Sequence, residues 1–198
     1  KKAIILLCPL LLLCACSASV QRVDTSNDLG PEIMGLSYRD FELAADHAVQ
    51  EMLESRALDH PGGGRYVMAV SRIINDTMQR ISTGQITKKI RVALLRSGRV
   101  VTTTAIGLDG PEDQMNQAVR SLRDSEEVNQ QTTIQKGQMI SPDLSLSGKI
   151  IQRNHSLGGS KQQVEYFFQL TVTELKSGLG IFETEIPIVK RGKNQGYW

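Results

Sequence analysis

Cysteine is confined to the start of the sequence: Cys8, Cys14 and Cys16 are the only three in 198 residues. Everything after them lacks a thiol for a disulfide, a thiolate zinc site or a cysteine nucleophile. Aromatic residues make up 5%, with one Trp at position 198, too few for extended stacking platforms for bases or sugars. An excess of one charge is also missing, since 23 Lys and Arg face 21 Asp and Glu for a net +2. Such a small, dispersed excess gives no argument for a nucleic-acid partner. No apolar run reaches the roughly 18 to 20 residues of a membrane-spanning helix. With 40% apolar residues, 17 Gly and 6 Pro, the composition is neither collagenous nor disordered and fits one ordinary domain.

Catalytic signatures are absent as well. There is no G-x-S-x-G elbow, no H-E-x-x-H and no G-x-G-x-x-G after a strand. The glycines Gly62 to Gly64 lack the Gly-Lys-Ser/Thr ending and the strand-before, helix-after order of a phosphate loop, and read as a turn. His47, His60 and His155 lie at spacings that match no metal motif. No metal, cofactor or catalytic residue is therefore expected, and the chain does not read as an enzyme. Glu183 and Glu185 share one face of a strand about 6 to 7 Å apart, a separation a glycosidase could use. Acidic residues on an edge strand also serve simply to discourage edge-to-edge pairing.

What is present begins at the N-terminus. Lys1 and Lys2 precede an apolar run from Ala3 to Ala15, the charged and apolar regions of an export signal. At about 1.5 Å per residue it covers roughly 20 Å, short of a hydrocarbon core of about 30 Å. The run ends Leu13-Cys14-Ala15-Cys16, which resembles the bacterial lipobox. The resemblance implies cleavage before Cys16 and acylation of Cys16, and several acyl chains anchor stably where a single one does not. Cys14 is a departure from the commonest residue at its place in that motif, and Leu13 before it is too large for Cys14 itself to be the acylated residue. Ser17 rather than Asp follows Cys16, which in Gram-negative lipoproteins implies the outer membrane, facing the periplasm. Residues 1–15 are thus expected as a signal peptide and 16–36 as the lipidated cysteine and a flexible tether, polar and broken by Gly30-Pro31. Residues 17–36, fully extended, reach at most about 65 to 70 Å. Lys1 and Lys2 account for the whole net +2, so the processed chain is formally neutral and electrostatic recognition would rest on local patches.

The globular part, 37–192, reads as alternating helix and strand followed by a meander, with 193–198 a C-terminal tail. Ser37 and Asp40 form a shortened capping box ahead of a helix over Tyr38 to Arg56, whose stripe is Phe41, Ala45, Ala48, Met52 and Leu53. Tyr66 to Val70 is an apolar run typical of a strand covered on both faces. A second helix carries Ile86, Ile90 and Leu94 and ends at Gly98. Val100 to Ala105 is a short strand, and Gly110-Pro111 opens a third helix with the stripe Met115, Val119 and Leu122. Ser125 to Gln138 carries no usable pattern. Leu144 to Ile150 alternates, Asn154 to Gln163 reads as a loop, and Val164 to Val172 alternates again before a turn at Lys176 to Gly178. Ile181 to Lys190 is the last strand, and Pro187 within it argues for an edge. The expected fold class is α/β (α+β), a mixed sheet packed by helices.

The second helix is the most basic stretch, with Lys88, Lys89, Arg91, Arg96 and Arg99. One reading is a solvated face with cations favourably near the helix C-terminus. The other is a docking patch, Lys88, Lys89 and Arg91, for an acidic partner.

The lipobox, the polar tether, Val70-Ser71-Arg72-Ile73-Ile74-Asn75-Asp76-Thr77, the Ile86 to Leu94 helix and above all Pro142-Asp143-Leu144-Ser145-Leu146-Ser147-Gly148-Lys149-Ile150 resemble the LpoB family of penicillin-binding-protein activators. The closing Leu170 to Leu175 strand, the Gly178 turn and Ile181-Phe182-Glu183 resemble its final hairpin. The resemblance covers 37–192 and implies a domain similar to the N-terminal domain of TolB, without catalysis of its own. It also implies an outer-membrane lipoprotein that contacts a bifunctional peptidoglycan synthase, a penicillin-binding protein, and stimulates it. The best-known members carry a long Pro-rich linker, whereas this tether has only Pro31. A secretion, flagellar or curli-type assembly lipoprotein of related fold is the alternative, and a cell-wall hydrolase a third.

Overall fold

The structure is a computed structural model and describes residues 22–25, 30–108 and 111–193. The chain divides into two units, 1–31 and 32–198. The described residues of the first hold no helix or strand. Cys16, the signal segment and most of the tether lie outside the described residues.

The second unit opens with helix α1, Tyr38–Glu54, started by a complete capping box in which Ser37 and Asp40 each receive the other's backbone N–H. Ala44, Ala45, Ala48, Val49 and Met52 form its buried face, with Phe41 and Leu53 packed at the margin. Strand β1, Tyr66–Asp76, follows the Pro-Gly turn, and helix α2, Thr83–Ser97, buries Ile86, Ile90 and Leu94 at four-residue steps. Gly98 ends α2 at φ 70°, the left-handed conformation glycine adopts without a Cβ clash. Strand β2, Val100–Thr102, and helix α3, Gln114–Ser121, come next. Two short 3-10 turns then lead to a meander of β3 (Leu144–Ser156), β4 (Lys161–Glu174) and β5 (Leu179–Lys193).

The five strands form one mixed sheet in the order β2-β1-β3-β4-β5. β1 runs parallel to both β2 and β3, and β3, β4 and β5 are antiparallel. α1 packs on β5 and α2, and α2 packs on β1 and β2. The core between helices and sheet takes alternate strand residues: Met68 and Ile73 from β1, Leu144, Leu146 and Ile150 from β3, Phe168, Leu170 and Val172 from β4. Pro187 does lie on an edge strand, where its missing N–H breaks no ladder.

Four expectations are corrected. β1 is not covered on both faces: of its residues only Met68 and Ile73 are buried, and it runs six residues past Val70. The apolar run masked a bulge, described below. β2 stops at Thr102 instead of Ala105, although Thr103 still donates to Met68 O at 2.9 Å. Asn154 to Gln163 is not a loop, because β3 and β4 extend as a polar ribbon with Asn154 opposite Val164 and Ser156 opposite Gln162, leaving a turn at 157–160. Finally, α3 buries nothing: Met115, Val119 and Leu122 are 66%, 38% and 41% exposed, so its stripe meets solvent, not core.

Candidate functional site

Leu146 and Gly148 face the core on β3 with one residue, Ser147, between them, but their β1 partners Val70 and Ile73 are separated by two, Ser71 and Arg72. The extra residue is a β-bulge, a device that redirects side chains and recurs beside functional sites. β2 has already ended opposite Met68, so the bulge sits where β1 has a free edge. Ser71 and Arg72 line two adjoining depressions. One, about 440 Å³, lies between β1 and α2 and is bounded by Thr83, Thr87, Lys88, Arg91, Leu108 and Glu112. The other, about 470 Å³, opens over the helix-free face of the sheet beside Lys149, Gln169 and Thr171. Leu108 borders both and is 75% exposed.

Gly148, in the lining of the second depression, is held close to β4. A Cβ there would lie 2.7 Å from Gln169 O and 2.7 Å from a Leu170 methyl, so the close approach of β3 to β4 at this point requires glycine.

The three cations expected as one docking patch divide between two hollows, Lys88 and Arg91 lining the groove between β1 and α2, and Lys88 and Lys89 lining another beside Glu42 and Asp46. Lys88 is exposed and lines the first groove. Lys89 turns toward α1, where its Nζ lies 3.1 Å from Glu42 Oε1 and 3.9 Å above the Tyr38 ring centre. Burial opposes its charge, but the Tyr38 hydroxyl and the Glu42 carboxylate outweigh that and hold its pKa above the ordinary lysine value. Arg91 is buried, its side chain 7% exposed, and is paired with Glu112 from the segment before α3. Burial lowers its pKa, and its Nε has no hydrogen-bond partner. Arg91 and Lys88 therefore share the groove, while Lys89 fastens the two helices together.

Other candidates from the sequence do not converge on a reactive centre. Glu183 and Glu185 sit exposed on edge strand β5, accepting from Thr171 Oγ1 at 3.4 Å and Gln169 Nε2 at 2.6 Å. His47 is exposed on α1. His60 accepts from Gly62 N–H at 3.0 Å and meets the Tyr66 ring edge-on. His155 lies 3.2 Å from Glu165, whose carboxyl is held below its usual range by the Gln163 amide and then by His155, against a partial desolvation that raises it. No cluster of three or more His, Cys, Asp or Glu suited to a metal occurs among the described residues.

Sequence reasoning missed Arg72 and Glu112 as parts of the groove. The polar pair Ser71-Arg72 interrupting the apolar run Val67 to Ile74 was the available signal for the bulge. Nothing local signals that Glu112 is the partner of Arg91.

The sequence matches the family described as peptidoglycan-synthase activator LpoB over residues 40–188. No curated protein sequence matches the chain. Among solved structures, the LpoB C-terminal domain from Salmonella enterica is similar at 13% identity and a TM-score of 0.44, covering 75% of this chain and 98% of that one. The NMR structure of Escherichia coli LpoB is similar at 13% identity and 0.42, with 97% and 87% covered. Lipoprotein GNA1162 from Neisseria meningitidis follows at 12% identity and 0.39, with 66% and 88% covered. The family match runs from the first turn of α1 to within five residues of the end of β5, and on that extent the chain belongs to the LpoB family of peptidoglycan-synthase activators.

Proposed function

We propose that this chain is an outer-membrane lipoprotein, acylated at Cys16 and facing the periplasm, whose domain of residues 37–192 binds a bifunctional class A penicillin-binding protein and activates it without chemistry of its own. The observation that carries the reading is the family match over 40–188, which takes in all or most of every helix and strand and so supports the activator role for the domain that bears the groove. The lipobox residues Leu13 to Cys16 support the anchor. Activation is a matter of linkage: a domain that binds the active conformation of the synthase more tightly than the inactive one shifts the population toward it. Docking is proposed at the α2 face, with Lys88 at the rim of the groove, Arg91 on its floor and Lys89 alongside.

The test mixes the full-length protein in detergent with its cognate synthase and follows lipid II polymerisation. A rise in rate is expected, and an unchanged rate overturns the activator reading. Lys88→Glu is expected to weaken the complex while leaving the folded domain intact, because Lys88 is exposed.

A further inference from the structure

Among the described residues, Arg91 is the cation sealed most deeply against the core, and its bonding is incomplete. It follows Thr83 and Thr87 on one face of α2 and lines the groove with them. Its Nη1 meets the carboxylate of Glu112, which is itself 54% exposed. Its Nε is buried and bonded to nothing. A guanidinium offers a planar fork of donors that matches a carboxylate through two parallel bonds, and here the resident carboxylate leaves part of the fork unused.

The surroundings favour a second acid. Lys88 and Arg72 border the same groove. Ser82 at the head of α2 makes no side-chain cap bond, and the first turn of the helix holds no acidic residue, so the positive end of the helix dipole is uncompensated by any side chain there. Among the described residues lining the groove, Glu112 is the one acidic group. Arg91 and Glu112 both line the groove, so an incoming acid competes with Glu112 for the guanidinium.

We propose that the Arg91 groove is an acceptor site for a carboxylate side chain of the partner protein, and that Glu112 is its resident occupant, exchanged for the partner's acid on docking. The incoming group is a carboxylate because that is what this arginine already holds, and it gains over Glu112 by engaging Nε as well. The inference deepens the docking proposed above and rests on it for the identity of the partner, but not for the chemistry of the site.

The experiment therefore omits the synthase. The full-length protein in detergent is titrated with the peptide acetyl-Glu-Glu-Glu-amide while the Arg91 Nε–H resonance and the Gly84 and Thr87 amides are followed by NMR. Glu112→Gln, which removes the competing charge and keeps the shape, is expected to tighten peptide binding about tenfold over the unchanged protein, within the usual range of coupled sites. Arg91→Lys, which keeps the charge and loses the fork, is expected to abolish the response. If that variant fails to fold, the comparison of E112Q with the unchanged protein still decides. An Arg91 Nε–H resonance unmoved by peptide in E112Q overturns the proposal. So does inorganic phosphate shifting the same signals with equal affinity, which would make the groove a general oxyanion site. A peptide response without stimulation of the synthase would overturn the activator reading and leave this one standing.

Discussion

Lys190 belongs to the inward-facing row of β5 and is the only charged residue in it, opposite Val164. Its side chain is 10% exposed, and its ammonium bonds Asp40 Oδ2 at 2.6 Å, Gly35 O at 2.9 Å and Ile33 O at 3.0 Å. Replacing it with Met keeps most of the apolar stem and removes three bonds at once. Breaking a buried pair by deleting one partner costs about 3 to 5 kcal/mol. Asp40 would retain the Ser37 N–H at 2.7 Å and the Ser37 hydroxyl at 2.8 Å, so the lower end, about 3 kcal/mol, is expected for Lys190→Met. At a urea slope of about 2 kcal/mol per molar, the unfolding midpoint falls by about 1.5 M. Asp40→Asn also weakens the α1 cap, so the decisive quantity is the coupling energy in the double-mutant cycle with Lys190→Met, expected at about 2 kcal/mol or more. Because the pair is shielded, the coupling should survive about 0.5 M salt, where an exposed pair is largely screened. A loss below about 1 kcal/mol, or a coupling that salt erases, would refute the reasoning, because either result describes a solvated surface pair.

Gly148→Ala is expected to destabilise the domain by about 1 to 3 kcal/mol, because the new methyl meets a backbone carbonyl that has nowhere to go. Gly180→Ala, whose added Cβ has Thr171 Cγ2 no nearer than 4.0 Å, is the control and should be near neutral in the same urea titration; equal losses would show that the clash is absorbed. Tyr166 is buried with its hydroxyl donating to Met34 O at 3.2 Å, and burial, with the Asp40 charge adding to it, pushes its pKa up to about 12. The unfolded chain ionises first, near pH 10, so stability is unaffected below that and falls between pH 10 and 12, by about 2 kcal/mol at pH 11.5. Tyr166→Phe should escape this loss, and its stability gap to the unchanged protein should narrow between pH 9 and 11.5; parallel curves would contradict the assignment.

Elements whose cause is local were readable from sequence. The Ser37–Asp40 box and its stripe define α1, the strict alternation Val164 to Val172 defines β4, and Pro187 marks the edge. Where the cause is pairing at a distance, the sequence was silent or misleading. The polar residues Asn154 to Ser156 and Lys161 to Gln163 are strands only because each has the other opposite it. The stripe of α3 has the correct spacing but no layer to cover it. The candidate site was half legible: basic residues on α2 stood out by type, yet Lys88, Lys89 and Arg91 are alike in sequence and differ in what the fold brings to them. Glu42 reaches Lys89 from α1 and Glu112 reaches Arg91 from the far side of β2. The bulge that aims Arg72 at the groove comes from a register mismatch between β1 and β3, which neither strand records alone.

The bonds from Lys190 to Ile33 and Gly35 are joined by a bond from Leu36 N–H to Gln79 Oε1 at 2.9 Å. They fasten the chain to β5 and to the turn after β1 before α1 begins. A protein pulled through its N-terminal segment transmits tension to the first point that resists. Here the first such points lie upstream of the helix, so part of the load enters the sheet at β5 and the β1 turn before it reaches α1. A domain tethered on that side would bear part of the force through its strands, which lightens the load on the packing of α1 against α2 and on the groove beside α2.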